Sequence, residues 1–135
     1  MEINQKYMLV PGSFRNVVLE DGNMPGFTFG LRIPYYRGVA LSMVDDLWVK
    51  YDNLEFPKEK LIFTVGGHSY TWPMIETITT FRWEYAEAAT VFVPLEGGFD
   101  VGSHMIEVGC AIRMSYGGRV PHAATVRQMV SIAGD

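Results

Sequence analysis

The segment that decides the fold is GFTFGLRIPYYRGVALSMVDDLWVKYD, residues 26–52. In its first half, every second residue from Phe27 to Ile33 is aromatic or aliphatic. A period of two puts such side chains on one face of a β-strand. Leu47, Val49 and Tyr51 repeat the alternation in the second half, so the segment predicts two strands joined by a loop. Trp48 lies on the mostly polar parity, which would suit a sheet covered on both faces.

The longest alternating run comes later in the chain, from His104 to Tyr116. One parity is mostly apolar, and a helix would scatter that set around its circumference. The run therefore predicts one long strand, which at about 3.3 Å per residue would span roughly 40 Å. This is longer than most sheets need. We expect the strand to bend, and Gly109 is the expected position.

Shorter strand signals fill most of the remaining chain. They cover residues 14–20, 61–65, 68–72, 90–95 and 126–132. Gly66-Gly67 suits a tight hairpin turn. Residues 73–79 predict one or two helical turns that begin at a proline, and residues 84–89 are helix-prone but short. The pattern predicts an all-β chain, an antiparallel β-sandwich or jelly-roll-like fold with at most one short helix, as a single domain over residues 1–135.

Composition narrows the class of protein. The 135 residues carry a formal net charge of −4 with dispersed basic residues, which disfavours nucleic-acid binding. No apolar run is long enough to cross a membrane, and the N-terminal residues do not resemble a signal peptide. The single cysteine cannot form an internal disulfide. These features predict a cytoplasmic protein.

The pattern predicts no catalytic residues and no metal site in this chain. His68, His104 and His122 lack the spacing of a metal-binding strand face, and His122 is expected in a loop. Cys110 lies on an apolar parity, where a buried and inert thiol is the usual case. Asp45-Asp46 would face opposite ways along a strand, so we expect a solvated strand start rather than a carboxylate pair.

Aromatic and arginine side chains are the strongest candidates for a functional surface. Such residues are enriched where proteins bury surface against partners. The candidate partner-interface residues are Tyr35, Tyr36, Arg37, Trp72, Arg82 and Trp83. The alternative is that the rings close the end of the sandwich. If they form an interface, Tyr36→Ala and Trp83→Ala should weaken association and leave the thermal midpoint of the isolated chain nearly unchanged.

Several runs resemble the small (beta) subunit of bacterial C-glycoside deglycosidases. The strongest is LRIPYYRG, residues 31–38, followed by HMIEVGCAIRMSYGG, residues 104–118. FRNVV at 14–18 and FRWEY at 81–85 are also similar to that family. None of these runs is a catalytic signature, so the resemblance points to a family more than to a site.

The resemblance implies a β-sandwich that binds a large TIM-barrel alpha subunit, in a higher hetero-oligomer. That partner would hold a divalent metal, typically manganese, and a catalytic histidine. The complex would act as a lyase on the carbon–carbon bond between a 3-oxo sugar and an aromatic, flavonoid-like aglycone. This chain would be the non-catalytic subunit, inactive alone and without a cofactor of its own.

Two other classes remain open at this point. A carbohydrate-binding module is also a sandwich with tyrosine and tryptophan, although such modules are usually secreted or joined to a catalytic domain by a linker. A stand-alone jelly-roll isomerase is disfavoured by the histidine spacing.

Overall fold

The structure is a computed structural model that describes residues 8–19, 24–33, 38–72, 74–78, 82–84, 87–100, 102–112 and 122–132. Eleven strands lie in these ranges. They are β1 (Arg15–Leu19), β2 (Met24–Arg32), β3 (Val39–Ala40), β4 (Val44–Tyr51), β5 (Leu54–Phe56), β6 (Ile62–Val65), β7 (His68–Tyr70), β8 (Arg82–Trp83), β9 (Ala88–Pro94), β10 (Gly102–Ile112) and β11 (His122–Ile132).

The strands form two larger sheets and a small ribbon, with antiparallel pairing throughout. One sheet has the order β1-β2-β9-β6-β7, the other has the order β11-β10-β4-β5, and β3 pairs with β8. The predicted all-β antiparallel sandwich is thus confirmed. In the described residues, helix is limited to Met8 and to 3-10 turns at Leu41–Met43, Lys58–Lys60 and Met74–Thr77. The last of these matches the predicted turn, whereas the helix-prone segment 84–89 runs into strand β9 at Ala88.

Apolar residues from both sheets meet in one core. Phe27 and Phe29 of β2 face Tyr51 of β4 and the buried residues of β10, and the Phe27 and Tyr51 ring centroids lie 5.8 Å apart. Phe99, in the connection from β9 to β10, inserts its ring at one end of this core and is 2% exposed. The side chain of Asn16 holds that connection. It donates to the Phe99 carbonyl at 3.0 Å and accepts from the Phe99 N–H at 2.6 Å.

The predicted long strand is confirmed over residues 102–112, and its residues beyond 112 lie outside the described ranges. Gly109 pairs in register with Thr125 and Trp48, so its predicted role as the position of a bend stays a prediction. The pairing of β10 with β4 shifts between Ala111 and Ile112, which face Asp46 and Val44. Asp45 is therefore an extra residue on β4. Such a bulge bends and twists the strand that carries it.

Strand β11 differs from its prediction in where it begins. We expected His122 in a loop and the strand from residue 126, but β11 begins at His122 and pairs with β10 along 11 residues. Because β11 pairs with β10 from its first residue, the strand is longer than the apolar alternation in its own sequence predicts. Along its other edge β11 has no strand partner among the described residues.

Asp52 closes the turn from β4 to β5 and ties it to β10. Its φ is +51°, and its carboxylate accepts a hydrogen bond from the Met105 N–H at 3.0 Å. The other carboxylate oxygen lies 2.7 Å from Nδ1 of His104, whose ring stacks on Tyr51. An ionised carboxylate only accepts, so Nδ1 carries the proton. These contacts, the His104 bond first, hold the pKa of Asp52 below its ordinary value of 3.8.

This depressed pKa predicts a pH-dependent stability. The unfolded chain takes up a proton at Asp52 first as the pH falls, so the stabilisation is present above about pH 4 and is lost below it. Asp52→Asn should flatten this part of the acid dependence of the thermal midpoint, because asparagine tolerates a positive φ and cannot ionise. Scanning calorimetry from pH 3 to 7 measures this. Asp46→Asn, an exposed change of equal charge on β4, is the control, and equal profiles for the two variants would contradict the prediction.

Candidate functional site

The second predicted cluster, Arg82 and Trp83, lies on the β3–β8 ribbon. Val39 pairs with Trp83, and Ala40 pairs with Arg82. Tyr35, Tyr36 and Arg37 lie outside the described residues. They directly precede Gly38 and β3, so the chain connects them to the ribbon that carries the second cluster. The sequence alone gave no sign that segments more than 40 residues apart would pair.

Arg82 holds the end of the loop that precedes β3. Its Nη2 donates to the carbonyl oxygen of Gly38 at 2.8 Å, and its Nε forms an ion pair with Glu84 at 3.1 Å. Gly38 is packed so closely that a Cβ atom there would lie 2.8 Å from the Trp83 carbonyl oxygen. The Arg82 side chain is still 52% exposed. It is therefore placed where a partner could reach it.

Trp83 is the opposite case, because its side chain is fully buried. The indole packs edge-on against Phe63 at a centroid distance of 5.2 Å, and its Nε1 donates to the carbonyl oxygen of Glu87 at 2.9 Å. The expectation of an exposed ring is wrong here, since Trp83 packs in the core of its own chain. Its expected part in a partner interface stays a prediction, with no exposed indole surface to support it.

Trp72 is also buried, at 6% exposure. Its ring lies 6.3 Å from that of Phe63, so the two predicted tryptophans pack on the same phenylalanine. No residue in the described ranges accepts a hydrogen bond from its buried Nε1. Both rings are thus buried against the same residue of their own chain, and the part of Trp72 in a partner interface also stays a prediction.

Within the described ranges, the residues that could carry chemistry do not assemble into a metal-binding group. No group of three or more His, Cys, Asp or Glu within metal-binding reach occurs among the described residues. His68 is exposed on β7, and His104 is bonded to Asp52 at the far end of β10. Cys110 is buried as expected, and burial raises the pKa of its thiol to about 12. The thiol is thus protonated at neutral pH and is no nucleophile.

One polar cleft lies beside the start of β4. It has a volume of about 240 Å³ and is lined by Ser42, Val44, Asp45, Lys58 and Glu76. Lys58 donates to the carbonyl oxygen of Asp45 at 3.1 Å and lies 3.9 Å from Glu76. No aromatic ring lines this cleft, so it offers no stacking surface for a sugar ring.

The fold and this site define a class: an antiparallel β-sandwich with an arginine-bearing ribbon at one end and dispersed ionisable groups. A family model described as C-glycoside deglycosidase beta subunit matches residues 4–116. The chain belongs to this family, and the resemblance predicted from its sequence is confirmed.

Curated relatives carry the same kind of description. The chain is 29% identical over 112 residues to a C-glycoside deglycosidase beta subunit of Eubacterium cellulosolvens, which covers 83% of this chain and 76% of the relative. It is 28% identical to a protein of the same description from Arthrobacter globiformis, over 67% of this chain and 70% of the relative. A 3'-dehydrocarminate deglycosidase beta subunit of a Microbacterium species is 28% identical, over 67% of this chain and 68% of the relative.

No helix in the described part of the chain is both long and apolar enough to cross a bilayer.

The burial of Trp83 reverses the stability effect expected from the sequence. Trp83→Ala should lower the free energy of unfolding by about 3–5 kcal/mol, because it empties a core site and removes the bond to Glu87. Arg82→Ala, next to it on β8 but exposed, should cost less than about 1 kcal/mol. Urea unfolding of the two variants measures the contrast. A Trp83→Ala chain as stable as the Arg82→Ala chain would show that the indole does not pack in the core.

Proposed function

We propose that this chain is the small, non-catalytic subunit of a C-glycoside deglycosidase of the lyase class. One observation carries the proposal: the family match over residues 4–116, with relatives that are all described as beta subunits. A beta subunit implies a second, unlike subunit. We propose that this partner is a larger TIM-barrel alpha subunit and that the two form a higher hetero-oligomer in the cytoplasm.

The proposed reaction is cleavage of the carbon–carbon bond between a 3-oxo sugar and an aromatic, flavonoid-like aglycone. The description of the Microbacterium relative supports an oxidised substrate, because 3'-dehydro denotes a ketone in place of a hydroxyl at that position. A C-glycosidic bond has no leaving oxygen to protonate, so the two-carboxylate route of glycosidases does not apply.

A ketone at sugar C3 provides another route. It acidifies the C2 proton, so a general base can remove it. The electron pair then forms the C1–C2 double bond, the bond from C1 to the aglycone breaks, and the aglycone carbon takes up a proton. A phenol on the aglycone would help it to leave. The proposed reaction thus needs a base near C2 and stabilisation of the enolate.

We assign these groups to the large subunit. The described residues of this chain do not fit a divalent metal, since no three candidate ligands converge. A manganese ion and a catalytic histidine would therefore belong to the barrel. The contribution of the small subunit is binding, and we propose that the loop 34–37 and the exposed Arg82 take part in it.

A stand-alone carbohydrate-binding module is the competing function. The sandwich fold suits it, and a cleft of about 370 Å³ is lined by Phe14 and Gln128, whereas the polar cleft beside β4 has no aromatic lining. Calorimetric titration of the chain with free sugars separates the two: saturable binding without any partner would favour the module.

Reconstitution should test the main proposal. The small chain, a candidate TIM-barrel alpha subunit from the same organism and their mixture are each incubated with a 3-oxo-C-glucoside, and release of the aglycone is followed by chromatography. We expect release from the mixture, none from the small chain alone, and co-elution of the two chains on gel filtration. Metal analysis should find less than one equivalent of transition metal in the small chain. Turnover by the small chain alone, or one tightly bound metal ion in it, would contradict the assignment.

A further inference from the structure

The four-stranded sheet has a face that points away from the core. Its side chains alternate with the buried ones on β4, β10 and β11, and we call it the outer face. It is formed by Trp48, Lys50, Met105, Glu107, Arg127 and Met129. Met129 is 56% exposed, and Arg127 is also exposed. The edge-strand part of this face is thus exposed, whereas the four residues on β4 and β10 are half-buried.

Trp48 supplies a flat apolar surface at the centre of the outer face. It pairs with Gly109, and a Cβ atom at Gly109 would lie only 2.2 Å from Cε2 of the indole. The ring therefore lies across the glycine backbone, and any larger residue would displace it. Gly109 is buried beneath the ring, while Trp48 itself remains half-buried. A ring fixed in this way presents its other side without further loss of side-chain freedom.

Two methionines extend the apolar surface. Met105 and Met129 face each other across β10 and β11. Met105 is half-buried, whereas Met129 is among the most exposed large apolar residues described. Methionine side chains adapt to irregular surfaces and are common where proteins bind other proteins. Aromatic residues, methionine and arginine are also the types enriched in protein interfaces.

A row of charges crosses the same face. Glu107 lies between Lys50 and Arg127, which it faces on the two neighbouring strands. One carboxylate thus stands between two cations, and Arg127 is on the edge strand. An exposed guanidinium at an edge can form a bidentate pair with a carboxylate of another protein.

The opposite side of the sandwich has a different composition. The outward positions of the five-stranded sheet include Thr28, Thr64, Ser69 and Thr90, and the hydroxyls of Thr64 and Ser69 bond to each other at 2.7 Å. The same outward positions also carry Arg15, Arg32 and Met24, together with the ring of Phe92. The outer face of the four-stranded sheet is distinguished by the indole of Trp48 and by the facing pair Met105 and Met129.

We propose that the outer face of the four-stranded sheet is the docking surface for the large subunit. This inference rests on the proposed function, because the family description supplies the unlike partner. Edge-to-edge pairing with a second copy of this chain fits less well. Full-length antiparallel pairing of β11 (residues 122–132) with itself would place Arg127 opposite Arg127, and like charges in that position repel. The β3–β8 ribbon leads into β4 through residues 41–43, so the two surfaces are adjacent along the chain.

The test compares matched substitutions on the two faces of the sandwich. Met129→Glu and Arg127→Gln alter the outer face. Met24→Glu and Arg15→Gln make the same changes at exposed positions of the five-stranded sheet. Full-length small chains are titrated against the large subunit by calorimetry. We expect Met129→Glu to weaken association about thirtyfold and Arg127→Gln about tenfold, with less salt dependence. The control variants should bind within about twofold of the wild type.

A second measurement does not depend on any substitution of the surface. The chain has three tryptophans, so 5-fluorotryptophan labelling gives three fluorine resonances. The resonance of Trp48, identified with Trp48→Phe, should shift when the large subunit binds, and that of the buried Trp83 should stay near its position.

The outcomes separate this inference from the proposed function. If the wild-type chain does not bind the large subunit, the proposed function fails. If it binds but both outer-face variants bind equally well and the Trp48 resonance does not move, the docking surface lies elsewhere. A Trp48 resonance that moves with free sugar instead would make the outer face a carbohydrate site, and self-association abolished by Met129→Glu would make it a contact between copies. Both results would overturn the proposal.

Discussion

The two sheets are held at a fixed separation by the ring of Phe99. It meets Phe27 of one sheet edge-on at 5.4 Å and Tyr51 of the other at 5.0 Å. Edge-to-face pairs of this kind add about 0.5–1.5 kcal/mol to the burial of the rings themselves. The backbone of Phe99 is fixed by both polar ends of the Asn16 amide, and the next N–H donates to the Tyr51 hydroxyl at 3.2 Å. Phe99 thus closes one end of the space between the sheets, and the other buried apolar residues pack between the sheets on its inner side.

Most of the fold could be predicted from the sequence, because alternation on β2, β4 and β10 extends over many residues. The errors arose where one strand is shaped by its neighbour. The irregularity of β10 comes from an extra residue on β4, Asp45, and nothing in the sequence of β10 shows it. Gly109 has another role there, since it makes room for the indole of Trp48. Ala88 of β9 pairs with Arg32 of β2, and this pairing overrides the helix preference of residues 84–89.

The candidate site was only partly predictable for a related reason. Tryptophan and arginine could be selected by residue type. A strand of two residues, such as β8, is too short for an alternation that would show which side chain faces inward. Trp83 faces inward and Arg82 outward because of how β8 pairs with β3. Trp48 gave a better signal, because it breaks the polar parity of β4. We expected a sheet covered on both faces from that signal, and the structure places the ring, half-buried, on the outward side of β4.

Strand β11 has no strand partner along its outer edge among the described residues, and this affects how the protein should be produced in the cell. The eleven residues of β11 include a single charged side chain, so this edge is a template for edge-to-edge aggregation. Met129, within the same strand, adds exposed apolar surface. Among the described residues, no bulge or proline interrupts that strand. Copies synthesised in excess of the proposed partner would keep Met129 exposed, while copies bound through the outer face would cover it. Equal and simultaneous production of the two subunits, as from one transcript, would therefore limit the loss of this chain to insoluble material.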